Sequence, residues 1–376
     1  MTVVALNAGS SSLKYAVFAD TARTDGSNVV LHGGLDRIGA GGPTDHAAAV
    51  QAVLDQLDRR DIERPRVVGH RLVHGGPEHT EPTIVDGALI ASLERAIPFA
   101  PLHLPVELSA IAAVRARFGD VPQVVCFDTG FHRTLPDIAR HFALPRVWFE
   151  AGIRRYGFHG LSFEYIAASL SPAQLRRAIC AHLGNGASMV AVRDGRSIDT
   201  TMGLTPTGGL VMGTRSGDLD PGLLVYLLDH GYDARGLAHL VDHEAGLLAL
   251  SGTGSDMQRL LELRATDPRA ALAVDVFCYQ ARKSIGALAA VLGGIETLVF
   301  AGGIGEHAPA VRFEICDGLA HLGITLDDER NRAGAPIISQ GPCEVHVIRT
   351  DEEQMIARHA RRLVLGSASS PAHVPR

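Results

Sequence analysis

Val3-Val4-Ala5-Leu6-Asn7-Ala8-Gly9-Ser10-Ser11-Ser12-Leu13-Lys14-Tyr15-Ala16-Val17-Phe18 decides how the rest of the chain is read. An uncharged apolar run, Val3–Leu6, breaks into a glycine and serine turn and resumes as Tyr15–Phe18. The pattern predicts a β-hairpin whose turn offers hydroxyl donors and backbone N–H groups. Small residues let those N–H groups approach phosphate oxygens closely, and Lys14 adds a point charge. The chain has two lysines, Lys14 and Lys283, so nearly all its basic residues are arginines. A solvated serine-rich surface turn would look the same in isolation, so the meaning of this one depends on whether it recurs.

The unit does recur. Ala178–Leu183 reads as a strand, Gly184-Asn185-Gly186 as a turn and Ala187–Val192 as a returning strand. Arg193-Asp194-Gly195-Arg196 is then a tight hairpin turn. Superposing Gly9 on Gly184 aligns the two units and suggests an internal duplication. A third glycine turn, Gly302-Gly303-Ile304-Gly305, follows the apolar strand Thr297–Ala301. Three such turns in two similar halves predict a nucleotide held in a cleft between two α/β domains. The spacing also predicts strands at Val29–His32, Val67–Val73 and Gln123–Phe127, and helices at Ala47–Asp58, Leu108–Phe118, Gly222–Leu228 and Ala270–Leu292. Thr350–Leu363 reads as a closing helix with Asp351, Glu352 and Glu353 in its first turn, and Gly366–Arg376 as a disordered tail.

Composition narrows the class. The length of 376 residues suits two domains, each with its own core. Charged residues make up 20% and mean hydropathy is +0.12, an ordinary soluble balance. A net charge of −6 argues against a general nucleic-acid binder. Cys126, Cys180, Cys278, Cys316 and Cys343 are odd in number, widely spaced and without a CxxC pair, which fits a reducing cytoplasm. The longest apolar stretch, Ile285–Ile304, contains Glu296 and several glycines. It reads as helix, turn and buried strand, not as a membrane span. Asn, Ser and Lys interrupt the N-terminal run, so it is not read as a signal peptide.

Four segments carry the chemistry. Thr205 to Pro221 is a glycine-rich loop presenting chiefly Arg215 and Asp218. An arginine among small residues can grip a phosphoryl group with two donors, although an Arg–Asp surface pair is the simpler reading. Arg71, in Gly69-His70-Arg71, lies among apolar strand residues and needs an anionic partner, either a structural carboxylate or a substrate. Asp128, in Phe127-Asp128-Thr129, stands at the C-terminal end of a strand, where open α/β sheets place functional groups. His159, in Tyr156-Gly157-Phe158-His159-Gly160, is flanked by glycines, as suits a residue held near a ligand. A purely structural histidine would fit the same pattern. Two arginines, a carboxylate and a histidine beside phosphate turns are the makings of phosphoryl transfer. Asp128 and Glu352 could supply hard oxygen ligands to a divalent ion.

At this point the chain resembles the acetate kinase family of the acetate and sugar kinase/actin-like superfamily. The landmarks run in the family's order from Met1 to about Leu365. They are Leu6 to Lys14, Gly69-His70-Arg71, Phe127-Asp128-Thr129, Tyr156 to Gly160, His182-Leu183-Gly184-Asn185-Gly186, Met212 to Asp218, Gly303-Ile304-Gly305-Glu306 and Asp351-Glu352-Glu353. The resemblance implies two duplicated ribonuclease-H-like (actin-like ATPase) domains around a nucleotide cleft. The first would comprise residues 1–145 with 353–376, the second 146–352. It implies reversible, magnesium- or manganese-dependent transfer of a phosphoryl group from ATP to acetate, giving acetyl phosphate and ADP, in a cytoplasmic homodimer. Asn7 and Glu352 would hold the metal. Ser10, Ser12, Lys14, His182 to Gly186 and Gly303, Ile304, Gly305, Glu306 and His307 would line the ATP site, with Asp256, Met257 and Gln258 near the adenosine. Arg71 would take the acid's carboxylate, and Asp128 would serve as the acid/base or metal-linked carboxylate. His159 and Arg215 would stabilise the transition state. Val73, Leu102, Phe158 and Pro206 would form the acyl pocket. Three positions depart from the family pattern. Gln258 stands where the family has arginine, with Arg259 one place late; Leu104 and His307 each replace an asparagine. A propionate or butyrate kinase, a different phosphoryl donor and an ATP-gated binding protein are the alternatives. A second arginine site, Arg71 beside Arg215, favours an acid-phosphorylating enzyme over a switch.

Overall fold

The computed structural model describes residues 2–9, 12–19, 28–39 and 41–366. Ser10 of the expected ATP turn and residues 367–376 of the expected tail lie outside them. By its internal contacts the chain divides into two units, one running to Gly130 and resuming at Asp351, the other spanning Phe131–Thr350. Residues 131–145, expected with the first half, bond within the second. His132 Nδ1 lies 2.9 Å from Ser197 Oγ, and Thr134 Oγ1 donates to the Ser197 carbonyl at 2.9 Å.

The first unit holds a six-stranded sheet. Its strands are β1 (Thr2–Ala8), β2 (Leu13–Ala19), β3 (Val29–Leu35), β4 (Pro65–Leu72), β5 (Thr83–Ile84) and β6 (Gln123–Phe127), in the order β3-β2-β1-β4-β6-β5. The second unit holds β7 (Arg177–Leu183), β8 (Ala187–Arg193), β9 (Arg196–Thr200), β10 (Thr297–Ala301) and β11 (Glu344–Val347), in the order β11-β10-β7-β8-β9. Reading β9-β8-β7-β10-β11 against β3-β2-β1-β4-β6 gives one plan. Two antiparallel pairings are followed by two parallel ones in each. Ala8 pairs with Leu13, and Leu183 with Ala187, as the last pairs before each turn. Gly9 and Gly184 therefore hold the same place, and the duplicated actin-like plan expected from the sequence is the fold.

Alternation along the strands sorts the faces. Val4, Leu6 and Ala8 of β1 and Val68 of β4 join a core with Val50, Val53 and Leu54 of helix His46–Arg59 and Val114 of helix Leu104–Phe118. Asn7 and Arg71, paired across β1 and β4, fall on the opposite face. Helix Glu352–Leu365 contacts β1, β4 and β6, and Asp351 caps its start by accepting from Gln354 N at 2.8 Å. In the second unit Cys180, Val190, Val192 and Val299 pack with Phe163 and Ile166 of helix Gly160–Ser169. Helix Pro268–Leu292, the Gly293–Gly294 break and β10 make up the long apolar stretch. One expected turn differs. Gly302–Gly305 opens a short helix, Gly302–His307, because Gly302 reverses the chain at φ +76° and its N–H is taken by Glu306 Oε1 at 3.1 Å. Among the described residues no helix is long and apolar enough to cross a membrane, and all five cysteines are free and buried.

Candidate active site

In the first unit, the C-terminal ends of β1, β4 and β6 bring charged groups together. Arg71 donates to Asp128 Oδ2 from Nη2 at 2.5 Å and from Nε at 3.1 Å, and its Nη1 donates to the Ala8 carbonyl at 2.9 Å. Asp128 follows β6 directly, and its N–H bonds the Leu72 carbonyl at 2.9 Å, so parallel pairing fixes its place beside Arg71. Burial disfavours the Arg71 cation, but Asp128 outweighs it and holds the guanidinium firmly charged. Asn7 Nδ2 donates to Glu352 Oε2 at 2.9 Å and to Glu353 Oε1 at 2.8 Å. Burial, then the Asp128 charge, pushes the Glu352 carboxyl upward, and Glu353 rises through burial and Glu352. Asp128 Oδ1 is buried and accepts no hydrogen bond. Among the described residues no three His, Cys, Asp or Glu side chains are grouped to hold a metal ion, and Asp128 Oδ1 is the hard oxygen this cluster leaves open. Lys14 is exposed and pairs with Asn7 across the hairpin.

The sequence reading missed Glu107, which is buried and accepts the Val73 N–H with both oxygens at 3.1 Å. Burial pushes its carboxyl up to about 8. The signal available was an acid one turn into a helix beginning Leu104-Pro105-Val106. Val73 is buried, whereas Leu102 is 49% exposed and contributes little enclosed apolar surface within its own unit.

In the second unit, His159 adopts a left-handed conformation, φ +58°, at the start of helix Gly160–Ser169. Such a conformation costs a non-glycine residue about 1–2 kcal/mol, and surrounding contacts must hold it. His159 Nδ1 lies 2.9 Å from Ser188 Oγ of β8, and its ring stacks on His182 with centroids 4.4 Å apart. His182 Nδ1 lies 2.7 Å from Ser162 Oγ. Gly186 shows why the turn is small. A Cβ there would lie 3.1 Å from His159 Nε2 and 3.4 Å from Arg215 Nη2, so both side chains converge on that backbone. Gly303 N would lie 3.9 Å from a Cβ on Gly184, which brings the Gly302–His307 helix to the same place. Arg215 Nη1 donates to the Pro206 carbonyl at 2.8 Å, and Asn185 O accepts from Gly213 N at 3.0 Å. Backbone N–H groups, two stacked imidazoles and a guanidinium around glycines can take a polyphosphate.

Several other expected residues have local partners within the second unit. Asp218 was read as presented beside Arg215, but it accepts from Gly209 N at 2.7 Å and closes its own loop. Asp256 caps helix Met257–Leu263 by accepting from Gln258 N at 3.0 Å, and Met257 is buried. Gln258 is exposed, and Arg259 bonds Glu262 at 2.9 Å. His307 is largely exposed. Phe158 is buried, and its carbonyl lies 3.0 Å from His132 Nε2.

Comparisons with known proteins place the whole chain in one family. The Acetokinase family model matches residues 2–358. The acetate kinase of Nitrobacter hamburgensis is 42% identical over 401 residues, spanning 98% of each chain. Among solved structures, Porphyromonas gingivalis acetate kinase superposes with a TM-score of 0.86 at 35% identity, covering 97% of this chain and 99% of that one. A propionate kinase from Francisella tularensis superposes with a TM-score of 0.90 at 33% identity, covering 96% and 99%. The chain belongs to the Acetokinase family, whose activity is phosphoryl transfer between ATP and acetate.

Proposed function

We propose that this chain phosphorylates acetate with Arg71, Asp128, His159 and Arg215 as the residues that meet the reacting groups. The observation that carries the reading is the assembly of Asn7, Arg71, Asp128 and Glu352 at the ends of β1, β4 and β6. Arg71 takes the acid's carboxylate, with Val73, Leu102, Phe158 and Pro206 around its methyl group. The glycine segments at Gly184–Gly186 and Gly303–Gly305, with Ser12, Lys14 and His182, hold the phosphates. His159 and Arg215 stabilise the charge spread over the equatorial oxygens of the transferring phosphoryl, where positioning and cationic contacts supply most of the rate. The acid is already ionised, so no strong base is required. Asp128 thus orients Arg71 and water. Magnesium fits Asn7, Glu352 and Asp128 by their hard oxygens and by the unsatisfied Asp128 Oδ1, and when bound it would offset phosphate charge.

Two further parts of the reading have physical support. Helix Pro221–Asp229 buries none of its residues, and Val225, Tyr226 and Leu228 are about half exposed, which suits burial against a second copy in a homodimer. Light scattering on the purified protein tests this, and a monomer would refute it. Five buried free thiols suit a reducing cytoplasm.

Trapping acyl phosphate as its hydroxamate tests the function. Arg71→Ala and Arg215→Ala should each raise the barrier by about 3–5 kcal/mol with circular dichroism unchanged. Near-normal activity in either variant removes that residue from the mechanism.

A further inference from the structure

Arg312 is the largest fully buried side chain among the described residues, with no solvent exposure. All four of its hydrogen bonds go to neutral oxygens. Nε donates to Asn331 Oδ1 at 2.8 Å and Nη2 to the Asn331 carbonyl at 2.7 Å. Nη1 donates to the carbonyls of Gly305 and Glu306, each at 2.9 Å. Asn331 is also buried, and its Nδ2 donates to the Pro309 carbonyl at 2.9 Å. A guanidinium buried without an acidic partner is costly, and such a group persists where its geometry is needed.

What the guanidinium holds is the end of the Gly302–His307 helix. The start of that helix is set against β7, since a Cβ on Gly302 would lie 2.7 Å from the Leu183 carbonyl. Its next residue, Gly303, brings its N–H close to Gly184. The helix has six residues and too few internal bonds to fix itself. Arg312 lies on helix Pro309–Cys316 and Asn331 on helix Asp328–Ala333, so the clasp ties three helices together. The planar fork of arginine spans the Asn331 and Gly305–Glu306 oxygens at once, which a lysine ammonium cannot do.

We propose that Arg312 and Asn331 are positioning residues for the nucleotide: their clasp fixes the Gly302–His307 helix against the Gly184 turn. The inference rests on the reading of those glycines as the ATP site.

Arg312→Lys and Asn331→Ala in the full chain test it, the second keeping the arginine. Both should raise the KM for ATP about tenfold or more, while kcat at saturating ATP and the KM for acetate stay within about twofold. ATP binding by calorimetry should weaken in parallel, and exchange of the 303–306 amides should quicken while that of β1 and β4 does not. An unchanged ATP affinity in both folded variants overturns the clasp. So does a fall in kcat with neither KM altered, which would mark a general packing role. If one variant fails to fold, the other decides. If the wild type binds ATP but makes no acetyl phosphate, the functional reading fails while the clasp is still judged by calorimetry. If the wild type binds no ATP, both fail.

Discussion

Arg71 places two donors, Nη2 and Nε, on one oxygen of Asp128, Oδ2, and leaves the other oxygen, Oδ1, buried and unbonded. A fork laid across both oxygens would have engaged each of them. The one-sided pairing keeps one acceptor available. It also makes the pair mutually dependent, since the Asp128 side chain is 2% exposed and that of Arg71 15%.

Breaking this pair should therefore affect stability and rate separately. Asp128→Ala leaves the guanidinium with the Ala8 carbonyl as its hydrogen-bond acceptor and the more distant charges of Glu352 and Glu107, and should destabilise the fold by about 3–5 kcal/mol. Asp128→Asn keeps the shape and one acceptor and should cost about 1–3 kcal/mol. Both should lose at least about a hundredfold in activity. Urea melts alongside the hydroxamate assay check this. Full activity in Asp128→Asn would show that the carboxylate is structural only.

Gly186→Ala tests the second unit. The added methyl would sit 3.1 Å from His159 Nε2 and 3.4 Å from Arg215 Nη2, tighter than ordinary contact for the first. Gly186 has no positive φ, so the backbone accepts alanine. The melting temperature should change little while kcat falls about tenfold or more. An active Gly186→Ala enzyme would mean that His159 and Arg215 do not meet the substrate over this turn.

Glu107 gives a pH dependence whose sign follows from burial. Its carboxyl titrates near 8 when folded and near 4.5 as a free side chain. Between those values the folded state holds more protons than the unfolded one, so this group lowers stability as pH rises through that window. Glu107→Gln removes the titration and retains an acceptor for the Val73 N–H. Its stability relative to the wild type should grow from pH 5 to pH 8. A difference that stays flat over that range would place Glu107 in a more polar setting than its burial implies.

Much of this was legible in the chain because strand ends are written in local pattern. Gln123–Phe127 and Thr297–Ala301 appear as read, and the structure pairs Asn7 with Glu352 and Arg71 with Asp128. Glu107 and Arg312 were not legible, because their burial is created by elements distant in sequence. Asp256 shows a related ambiguity: an aspartate before a helix can cap it or face a ligand, and here it caps helix Met257–Leu263. Leu102 lies just before helix Leu104–Phe118 in sequence, yet is half exposed. Adjacency in the chain does not determine enclosure.

The proposed acyl pocket yields the last prediction. Val73 is buried, and Glu107 fixes its backbone N–H, so the side chain next to Arg71 is held in place. Each extra methylene buried gains only about 0.8 kcal/mol, so acetate and propionate should be used within about tenfold of each other. In the proposed site butyrate would meet Val73 and Phe158, each buried within its own unit, and should be clearly worse. Val73→Ala removes two methyl groups and should shift preference toward the longer acids, at a stability cost of about 1–3 kcal/mol. Measuring kcat/KM for the three acids in both proteins decides it. Butyrate as the best substrate of the wild type would mean that Val73 and Phe158 do not bound the pocket.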